Sequence, residues 1–480
     1  MYNKINETES EETVMYETNV RLVRVELCNY KNVAHGILEM PGAVNRDFSC
    51  DRAEILGIYG QNGSGKTAVI EALSLTKDLL SASPLPHGTS DSIAQAAEAS
   101  SCSLSFFIGD ENEGILAEYA FTVTRSDEYA RGVYISEEKI SYRAVSDGKS
   151  SSAKLLLHYK ADEKSKFLSP KYRYAVMTKN EDDAVELAVA KKIAIRNAAS
   201  FLFSEDARPF LLQGLTDSAD DLALKTILLT LPRYAKQGFF VVDSNHSGTI
   251  SLGAVMPLAL HFDGDDETPD HTLLSLTEPS VQALPTYDFI KTSVNAINHV
   301  LGVLIPGMRL FIKEYGGQTT EDGKEGMRFE ILSVRGETQI PLKCESEGIK
   351  KLISVLSILI AMYNHPSVLV AVDEFDAGVY EYLLGEILGI LEENGRGQLL
   401  FTSHNLRPLE MIDRKNIIFT TTNPNHRYIR LSGTKGNLRD QYIRSIHVGG
   451  QKEELYGYSN PLEIARAFRL AGKEASAERK

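Results

Sequence analysis

One short segment constrains this chain more than any other, the glycine-rich sequence GQNGSGKT at residues 60–67. It follows the apolar run ILGIY (55–59) and precedes a segment in which Val69, Leu73 and Leu80 recur at helical spacing. The loop is therefore predicted to lie between a strand and a helix, the context that the pattern GxxxxGK[ST] requires. Its backbone N–H groups and the helix N-terminus then face the negative charge of a polyphosphate.

Two side chains of this loop have separate predicted tasks. Lys66 would reach the β- and γ-phosphates of ATP, and the Thr67 hydroxyl would ligate Mg²⁺. The alternative is a glycine-rich turn that matches the pattern by chance. We predict that the nucleotide contacts the whole loop, namely Gly60, Gln61, Asn62, Gly63, Ser64, Gly65, Lys66 and Thr67.

A second element, SVLVAVDEFD at residues 367–376, ends in acids. Its five consecutive apolar residues, 368–372, are typical of a strand buried on both faces. At the end of this strand Asp373 would hold Mg²⁺ through water, and Glu374 would polarise the attacking water as general base. A buried strand that simply ends in solvated acids is the alternative interpretation.

Two further elements fit the same site. His404 follows the apolar strand QLLFT, about where a histidine that senses the γ-phosphate is expected. The segment ESEGIKKLISVL (345–356) places Ser346 and Gly348 at the N-terminus of a helix, which can bind a phosphate. Taken alone, a histidine at a strand end is more often structural, and the helix start is more often an ordinary cap. The order of the elements along the chain favours the functional interpretation of His404.

The wider pattern predicts an α/β fold. Helix and strand alternate through the last third of the chain, which indicates a parallel sheet layered with helices. Residues 103–123 read as a hairpin that turns between Gly109 and Gly114, and residues 181–235 read as mostly helical.

In their order, the motifs GQNGSGKT, SEG before a helix, VLVAVDE and TSH resemble the ABC ATPase heads of SMC, RecF and OLD-family proteins. The resemblance is strongest to stand-alone ATPases of bacterial antiphage defence systems such as PARIS and Septu. It implies an ABC head with a parallel P-loop sheet, an antiparallel β subdomain and a helical insertion. It also implies a nucleotide held between two heads, with Ser346 and Gly348 of one head completing the site of the other. Asp376 falls at the position of the D-loop aspartate.

This resemblance divides the chain into five parts. Residues 1–18 form an acidic tail, 19–145 the first ATPase lobe, 146–285 a mixed insertion, 286–430 the second lobe, and 431–480 a C-terminal extension. The signature ESEG lacks the leucine and double glycine of transporter ATPases. The Q-loop glutamine is not evident in the sequence.

Composition limits the partners. The formal charge of −14 argues against broad electrostatic binding to nucleic acid. The four cysteines have no metal-ligand spacing, and the N-terminus has no basic and apolar export signal. No apolar run is long enough to span a membrane. We therefore expect a cytoplasmic protein.

Two functions remain open at this stage. The first is the sensor subunit of an antiphage system, a homo-oligomer that controls a separate effector nuclease and responds to a phage-encoded trigger. The second is a RecF- or SMC-like repair or chromosome-maintenance ATPase that clamps DNA. The acidic composition and the lack of a heptad pattern favour the first, whereas a basic groove around Lys191, Lys192 and Arg196 would favour the second.

Overall fold

The computed structural model describes residues 18–45, 47–243, 255–259, 271–275, 278–377, 379–431, 437–448, 453–457 and 460–477. Twenty strands are defined in these ranges. They are β1 Asn19–Tyr30, β2 Val33–Glu39, β3 Glu54–Tyr59, β4 Ala99–Asp110, β5 Glu113–Arg125, β6 Val133–Ser146, β7 Lys149–Ser150, β8 Lys154–Lys160, β9 Leu168–Ser169, β10 Phe239–Val242, β11 Val255–Ala259, β12 His271–Ser275, β13 Ser280–Ala283, β14 Met308–Thr319, β15 Glu325–Arg335, β16 Thr338–Pro341, β17 Leu369–Val372, β18 Gln398–Thr402, β19 Ile417–Thr420 and β20 Tyr428–Ile429.

The α-helices of the described residues lie mainly in the middle and the last third of the chain. They are α1 Pro41–Asn45, α2 Lys66–Leu80, α3 Lys171–Met177, α4 Glu181–Asn197, α5 Arg208–Leu211, α6 Ala219–Gln237, α7 Leu284–Leu304, α8 Glu347–Asn364, α9 Glu381–Asn394, α10 Pro408–Met411, α11 Leu438–Val448 and α12 Pro461–Ala477.

The centre of the fold is a six-stranded sheet in the order β10-β17-β18-β3-β19-β20, parallel except for β20. Its strands are buried on both faces, as the apolar run 368–372 predicted. Leu369 and Ala371 contribute to the core on one face, and Val370 and Val372 to the core on the other. This alternation follows from the two-residue period of a strand. Because β3, β17 and β18 run parallel, their carboxyl ends meet at one edge of the sheet.

Helices cover both faces of this sheet. The helix α2, which follows the glycine loop, is buried against β1, β10 and α6, and Val69, Leu73 and Leu80 are fully buried as predicted. On the opposite face, α7, α8 and α9 pack into the second core. The predicted layering of a parallel P-loop sheet by helices is confirmed.

An antiparallel sheet stands beside the parallel one, in the order β2-β1-β4-β5-β6-β8-β9, with β7 added to β6. The predicted hairpin is its β4–β5 pair, in which Gly109 lies opposite Gly114. Gln398 of the parallel sheet fastens the two sheets together, because its side-chain amide exchanges hydrogen bonds of 2.7 Å with the backbone N–H and C=O of Leu22.

Both sheets include strands from the predicted insertion, residues 146–285. The antiparallel sheet continues past residue 145 to β9, and β10 of the parallel sheet comes from within the predicted insertion 146–285. The helices α3 to α6 form the helical part of that insertion within the described residues. The acidic tail, apart from Thr18, lies outside the described residues.

The three cations of the helical insertion do not share one exposed face. Lys191 is not part of an exposed basic face, because its side chain is buried, donates a 2.6 Å hydrogen bond to the Glu163 carbonyl and lies 4.6 Å from the centre of the Phe167 ring. Lys192 and Arg196 remain exposed. None of the described helices combines the length and apolar character that crossing a bilayer requires.

Candidate functional site

The glycine loop connects β3 to α2 with a backbone path that side chains would obstruct. Gly65 precedes the helix with φ +93°, a left-handed conformation that favours glycine. A Cβ on Gly60 would lie only 1.7 Å from the Thr420 hydroxyl oxygen. The glycines are thus required for the turn itself and for its close packing on β19.

Lys66 is drawn into this loop. Its Nζ donates hydrogen bonds to the carbonyls of Gly60 at 2.9 Å and Gln61 at 3.0 Å. The side chain is only 6% exposed. Burial lowers the pKa of Lys66, and the nearby carboxylates of Asp373, Glu374 and Asp376 oppose that shift. The ammonium therefore faces the acidic end of β17.

Four residues distant in the sequence brace the loop from outside. The Tyr428 hydroxyl donates to the Gly65 carbonyl at 2.7 Å, and the Asn32 amide donates to the Gly63 carbonyl. The backbone N–H of Gly457 donates to the Gln61 side chain at 3.0 Å, and Thr420 hydrogen-bonds Ser64. Sequence reasoning missed these braces, because no local pattern connects residues so far apart along the chain.

The metal-binding residues predicted from sequence lie next to each other. The Thr67 hydroxyl, at the start of α2, is 3.4 Å from Asp373 Oδ1 at the end of β17. Asp373 is 1% exposed and also accepts a 2.6 Å hydrogen bond from the Thr402 hydroxyl. A hydroxyl and a carboxylate are the hard oxygen donors that Mg²⁺ prefers, so this pair fits the ion. Thr402, at the end of the intervening strand β18, was not predicted.

Glu374 has a different environment from its neighbour. Its carboxylate is exposed, and its backbone adopts φ +49°, which is rare for a residue with a side chain. Two contacts hold this backbone, since Thr402 Oγ1 accepts from the Glu374 N–H at 2.7 Å and Lys351 donates to the Glu374 carbonyl at 2.5 Å. The strained backbone turns the Glu374 side chain out while Asp373 stays inside.

Lys351 connects the acids to the predicted signature helix. It lies on α8 and is only 2% exposed. Burial lowers the pKa of Lys351, opposed by the charges of Glu374, Asp376 and Asp373. The signature helix of this chain is thus bonded directly to the backbone of its own predicted general base.

Asp376 and His404 also meet. Asp376 Oδ2 accepts hydrogen bonds from the backbone N–H groups of His404 at 3.1 Å and Asn405 at 2.9 Å. Its other oxygen, Oδ1, is buried without a hydrogen-bond partner in the described structure. The His404 side chain is exposed and borders a cavity of about 490 Å³. Asp376 therefore positions the loop that carries His404.

The predicted signature residues lie on the surface. Ser346 caps α8 and accepts a 3.4 Å hydrogen bond from the Ile349 N–H, and the residue itself is exposed. Gly348 is half-buried. The preceding Glu345 is fixed by Ser333 and Arg335 on β15. Among the described residues, no hydrogen bond joins Ser346 to the glycine loop of the same chain.

The structure thus brings together five of the predicted residues around the ends of β3 and β17: Lys66, Thr67, Asp373, Glu374 and Asp376. His404 stands at the end of β18, next to Asp376. The proposed roles of these residues, and of Ser346 and Gly348, remain predictions.

A phosphate-binding loop at the end of one strand, with acids at the end of another strand of the same parallel sheet, defines a P-loop nucleoside triphosphatase. The family described as "AAA domain, putative AbiEii toxin, Type IV TA system" matches residues 55–410. The chain belongs to this family.

Several solved structures are similar to the chain at low identity. An SMC head bound to the C-terminal winged-helix domain of ScpA is 14% identical, with a TM-score of 0.40 over 86% of this chain and 98% of that one. The SMC head domain from Thermotoga maritima is 14% identical, with a TM-score of 0.35 over 86% and 100%. RecF bound to ATP is 14% identical, with a TM-score of 0.33 over 80% and 94%. No curated protein matches the chain.

Proposed function

We propose that this protein hydrolyses ATP at a composite site shared by two copies of the chain. The observation that carries the proposal is the arrangement of Lys66, Thr67, Asp373 and Glu374 at one edge of the parallel sheet. It places a cation, a hydroxyl, a buried carboxylate and an exposed carboxylate around the glycine loop. These are the groups that phosphoryl transfer to water requires.

Each residue then has a physical task. The loop N–H groups and the Lys66 ammonium bind the phosphate oxygens and oppose their negative charge. Thr67 and Asp373 would hold Mg²⁺, which neutralises charge on the phosphates. Glu374 accepts the proton of the attacking water, and its exposed carboxylate is free to do so because the backbone rather than the side chain is fixed.

Ser346 and Gly348 supply the second half of the site in this proposal. The exposed N-terminus of α8 offers a hydroxyl and unpaired backbone N–H groups, which attract a phosphate. Because Ser346 makes no hydrogen bond to its own glycine loop within the described residues, we assign it to the nucleotide of a partner copy. His404 would contact the γ-phosphate at the same interface.

For the biological role we propose the regulatory subunit of an antiphage defence complex that acts in the cytoplasm and controls a separate effector, a nuclease. The family description, which names a toxin and a toxin–antitoxin system, supports a role in defence. The DNA clamp is the alternative, and the buried position of Lys191 removes one of the three cations of the basic groove that would favour it.

Glu374→Gln tests the catalytic assignment. The variant should bind ATP with unchanged affinity, because the fold and the phosphate contacts remain, and hydrolysis should fall by about 10²–10⁴-fold because the base is gone. It should also accumulate as an ATP-bound oligomer. Steady-state phosphate release, nucleotide titration and light scattering of the eluted protein measure these three properties.

The matched control is Glu393→Gln, an exposed glutamate near the end of α9. It changes charge by the same amount and should hydrolyse ATP at the wild-type rate. A Glu374→Gln variant with normal turnover would show that another group activates the water.

The role in defence is tested separately. A host that expresses this chain with its neighbouring genes should resist phage infection, and Glu374→Gln should change that resistance. ATP-dependent DNA binding without any effect on phage plating would favour the DNA clamp instead.

A further inference from the structure

Outside the nucleotide site, three side chains with metal-binding atoms converge on the first hairpin. Glu26 and Cys28 are two residues apart on β1 and therefore point to the same face of the antiparallel sheet. His35 lies on β2, directly opposite Cys28 in the register of the pair. Cross-strand partners share a face, so the sheet itself brings the three side chains together.

The donor atoms are close enough for one ion. One carboxylate oxygen of Glu26, the sulfur of Cys28 and a ring nitrogen of His35 all lie within 4.8 Å of one another. His35 Nε2 and Glu26 Oε1 are 2.9 Å apart. Metal–sulfur and metal–nitrogen bonds to zinc are about 2.3 and 2.0 Å, which separates tetrahedral donors by roughly 3.3–3.8 Å. The observed donor separations, 2.9 Å for His35 and Glu26 and at most 4.8 Å for the other pairs, bracket that range.

We propose that Glu26, Cys28 and His35 form a binding site for a zinc ion. Thiolate, imidazole and carboxylate are the three ligand types that zinc uses in proteins, and this mixed set does not suit Mg²⁺ or Ca²⁺, which prefer oxygen alone. All three side chains are partly exposed, so solvent has access to the site and water completes the tetrahedron.

Neighbouring groups are placed to orient the ligands. Arg24 forms a 2.7 Å ion pair with Glu26 Oε2, which leaves Oε1 directed towards His35. The backbone of His35 is fixed on both sides, because its N–H donates to the Pro424 carbonyl at 2.9 Å and its carbonyl accepts from the Arg427 N–H at 3.4 Å. Such outer contacts hold metal ligands in position.

The site lies on the hairpin that braces the glycine loop. Between Cys28 and His35 the chain turns, and at this turn Asn32 hydrogen-bonds the Gly63 carbonyl while Lys31 forms an ion pair with Glu71 of α2. A metal that joins the two strands would stiffen this turn. Zinc binding should therefore slow the motion of this turn, which contacts the glycine loop through Asn32.

Cobalt substitution tests the site directly. The full-length, reduced protein without a polyhistidine tag is titrated with Co²⁺ alone and then with Zn²⁺. Wild type should bind one equivalent with the thiolate-to-cobalt absorption band, and Zn²⁺ should displace it. Cys28→Ala should lose the band, and its affinity for Zn²⁺ should fall at least about 100-fold, more than the loss of an outer-shell contact causes.

Cys344→Ala is the matched control, because Cys344 is a free and exposed cysteine elsewhere in the chain. It should retain the band. His35→Gln gives a second test that does not depend on how Cys28→Ala folds, and it should weaken Co²⁺ binding while it keeps part of the thiolate band. Amide hydrogen exchange across residues 29–36 should slow with Zn²⁺ in wild type and not in Cys28→Ala.

Two results would overturn the proposal. The first is a wild-type protein that binds no stoichiometric Co²⁺. The second is a band of equal strength in Cys28→Ala, which would place the metal on another thiolate. Neither measurement uses nucleotide, so the outcome is independent of whether the protein hydrolyses ATP.

Discussion

The two halves of the proposed ATP site are built in opposite ways. The glycine loop is enclosed, with Lys66 buried and hydrogen bonds from Tyr428, Asn32 and Gly457 holding the loop in place. The N-terminus of α8 is open, and the hydroxyl of Ser346 only caps its own helix. One half is preorganised within the chain, and the other presents its hydrogen-bonding groups to the outside.

This difference separates the free energy of nucleotide binding from the free energy of dimer formation. A preorganised loop binds phosphate without a further entropic cost of ordering, so a single chain should be able to bind the nucleotide. An exposed helix N-terminus gains a partner only when a second chain brings a phosphate to it. ATP binding should therefore survive in the monomer, and ATP hydrolysis should require the dimer.

Lys66→Ala should have the largest effect on the enclosed half. It removes the only loop side chain whose charge opposes the phosphates, so ATP affinity should fall by about 100-fold or more, the value of a lost charge-assisted contact of roughly 3 kcal/mol. Isothermal titration with ATP measures the loss. Since burial of the ammonium costs free energy, thermal stability should change little.

Lys192→Ala controls for the removal of a positive charge, because Lys192 is exposed on α4, away from the loop. Its ATP affinity should equal that of the wild type. If Lys66→Ala bound ATP normally, the loop would not be the nucleotide site.

Ser346→Arg should disrupt the exposed half of the site, at the N-terminus of α8. A long side chain at the helix N-terminus should block the approach of the partner's phosphate, so hydrolysis should fall by about 10²-fold while ATP binding to the glycine loop stays intact. Mixing this variant with Lys66→Ala should restore about a quarter of the activity, because half of the randomly formed dimers are mixed and each has one intact site of two.

Ser346→Ala removes the hydroxyl without obstructing the surface that the partner's phosphate approaches, so it distinguishes the loss of a hydrogen bond from a steric block. It should retain more activity than Ser346→Arg. Two inactive variants that stay inactive when mixed would indicate that each chain completes its own site and that no composite site forms.

The sequence predicted those parts of the fold that local signals encode. The strand at 368–372, the hairpin between Gly109 and Gly114, and the buried helix after the glycine loop follow from periodicity and turn residues, and all are confirmed. The acids at the end of β17 were found because a motif placed them there.

Residues that act through distant contacts were missed for a physical reason. Thr402 lies in the TSH motif and Lys351 in ESEGIKKLISVL, but neither motif shows which distant residue the side chain contacts, and Tyr428 belongs to no motif. Each becomes relevant only when elements far apart in sequence pack together. The sequence also left the exposure of Lys191 open, since a helix sequence shows a run of cations but not which of them the neighbouring loop covers.

Lys351→Met probes the link between the halves and should have a smaller effect. It removes the hydrogen bond that holds the Glu374 carbonyl, so hydrolysis should fall about tenfold, a coupling of roughly 1–2 kcal/mol, with ATP affinity unchanged. Replacing a buried cation with an apolar side chain of similar volume should leave stability equal or higher.

The pH dependence of stability tests whether Lys351 is charged in the folded wild type. Burial lowers the pKa of Lys351 in the folded chain below the ordinary lysine value. Below that lowered pKa the folded wild type contains a buried charge, which reduces its free energy of unfolding. The wild type should therefore gain stability relative to Lys351→Met as the pH rises towards the ordinary lysine value of 10.5. Thermal unfolding at several pH values measures the difference, and a constant difference would mean that the pKa of Lys351 is the same in the folded and unfolded chains.

Tyr428→Phe should have the smallest effect, because it removes one brace from the enclosed half and leaves the others. The lost hydrogen bond to the Gly65 carbonyl should cost about 1 kcal/mol of stability, measured by denaturant unfolding. ATP affinity should fall by less than about tenfold, since the loop retains its remaining contacts.

Tyr172→Phe, on an exposed tyrosine of α3, is the matched control and should change neither property. A Tyr428→Phe variant with wild-type stability and affinity would show that packing of the ring, rather than its hydroxyl, braces the loop.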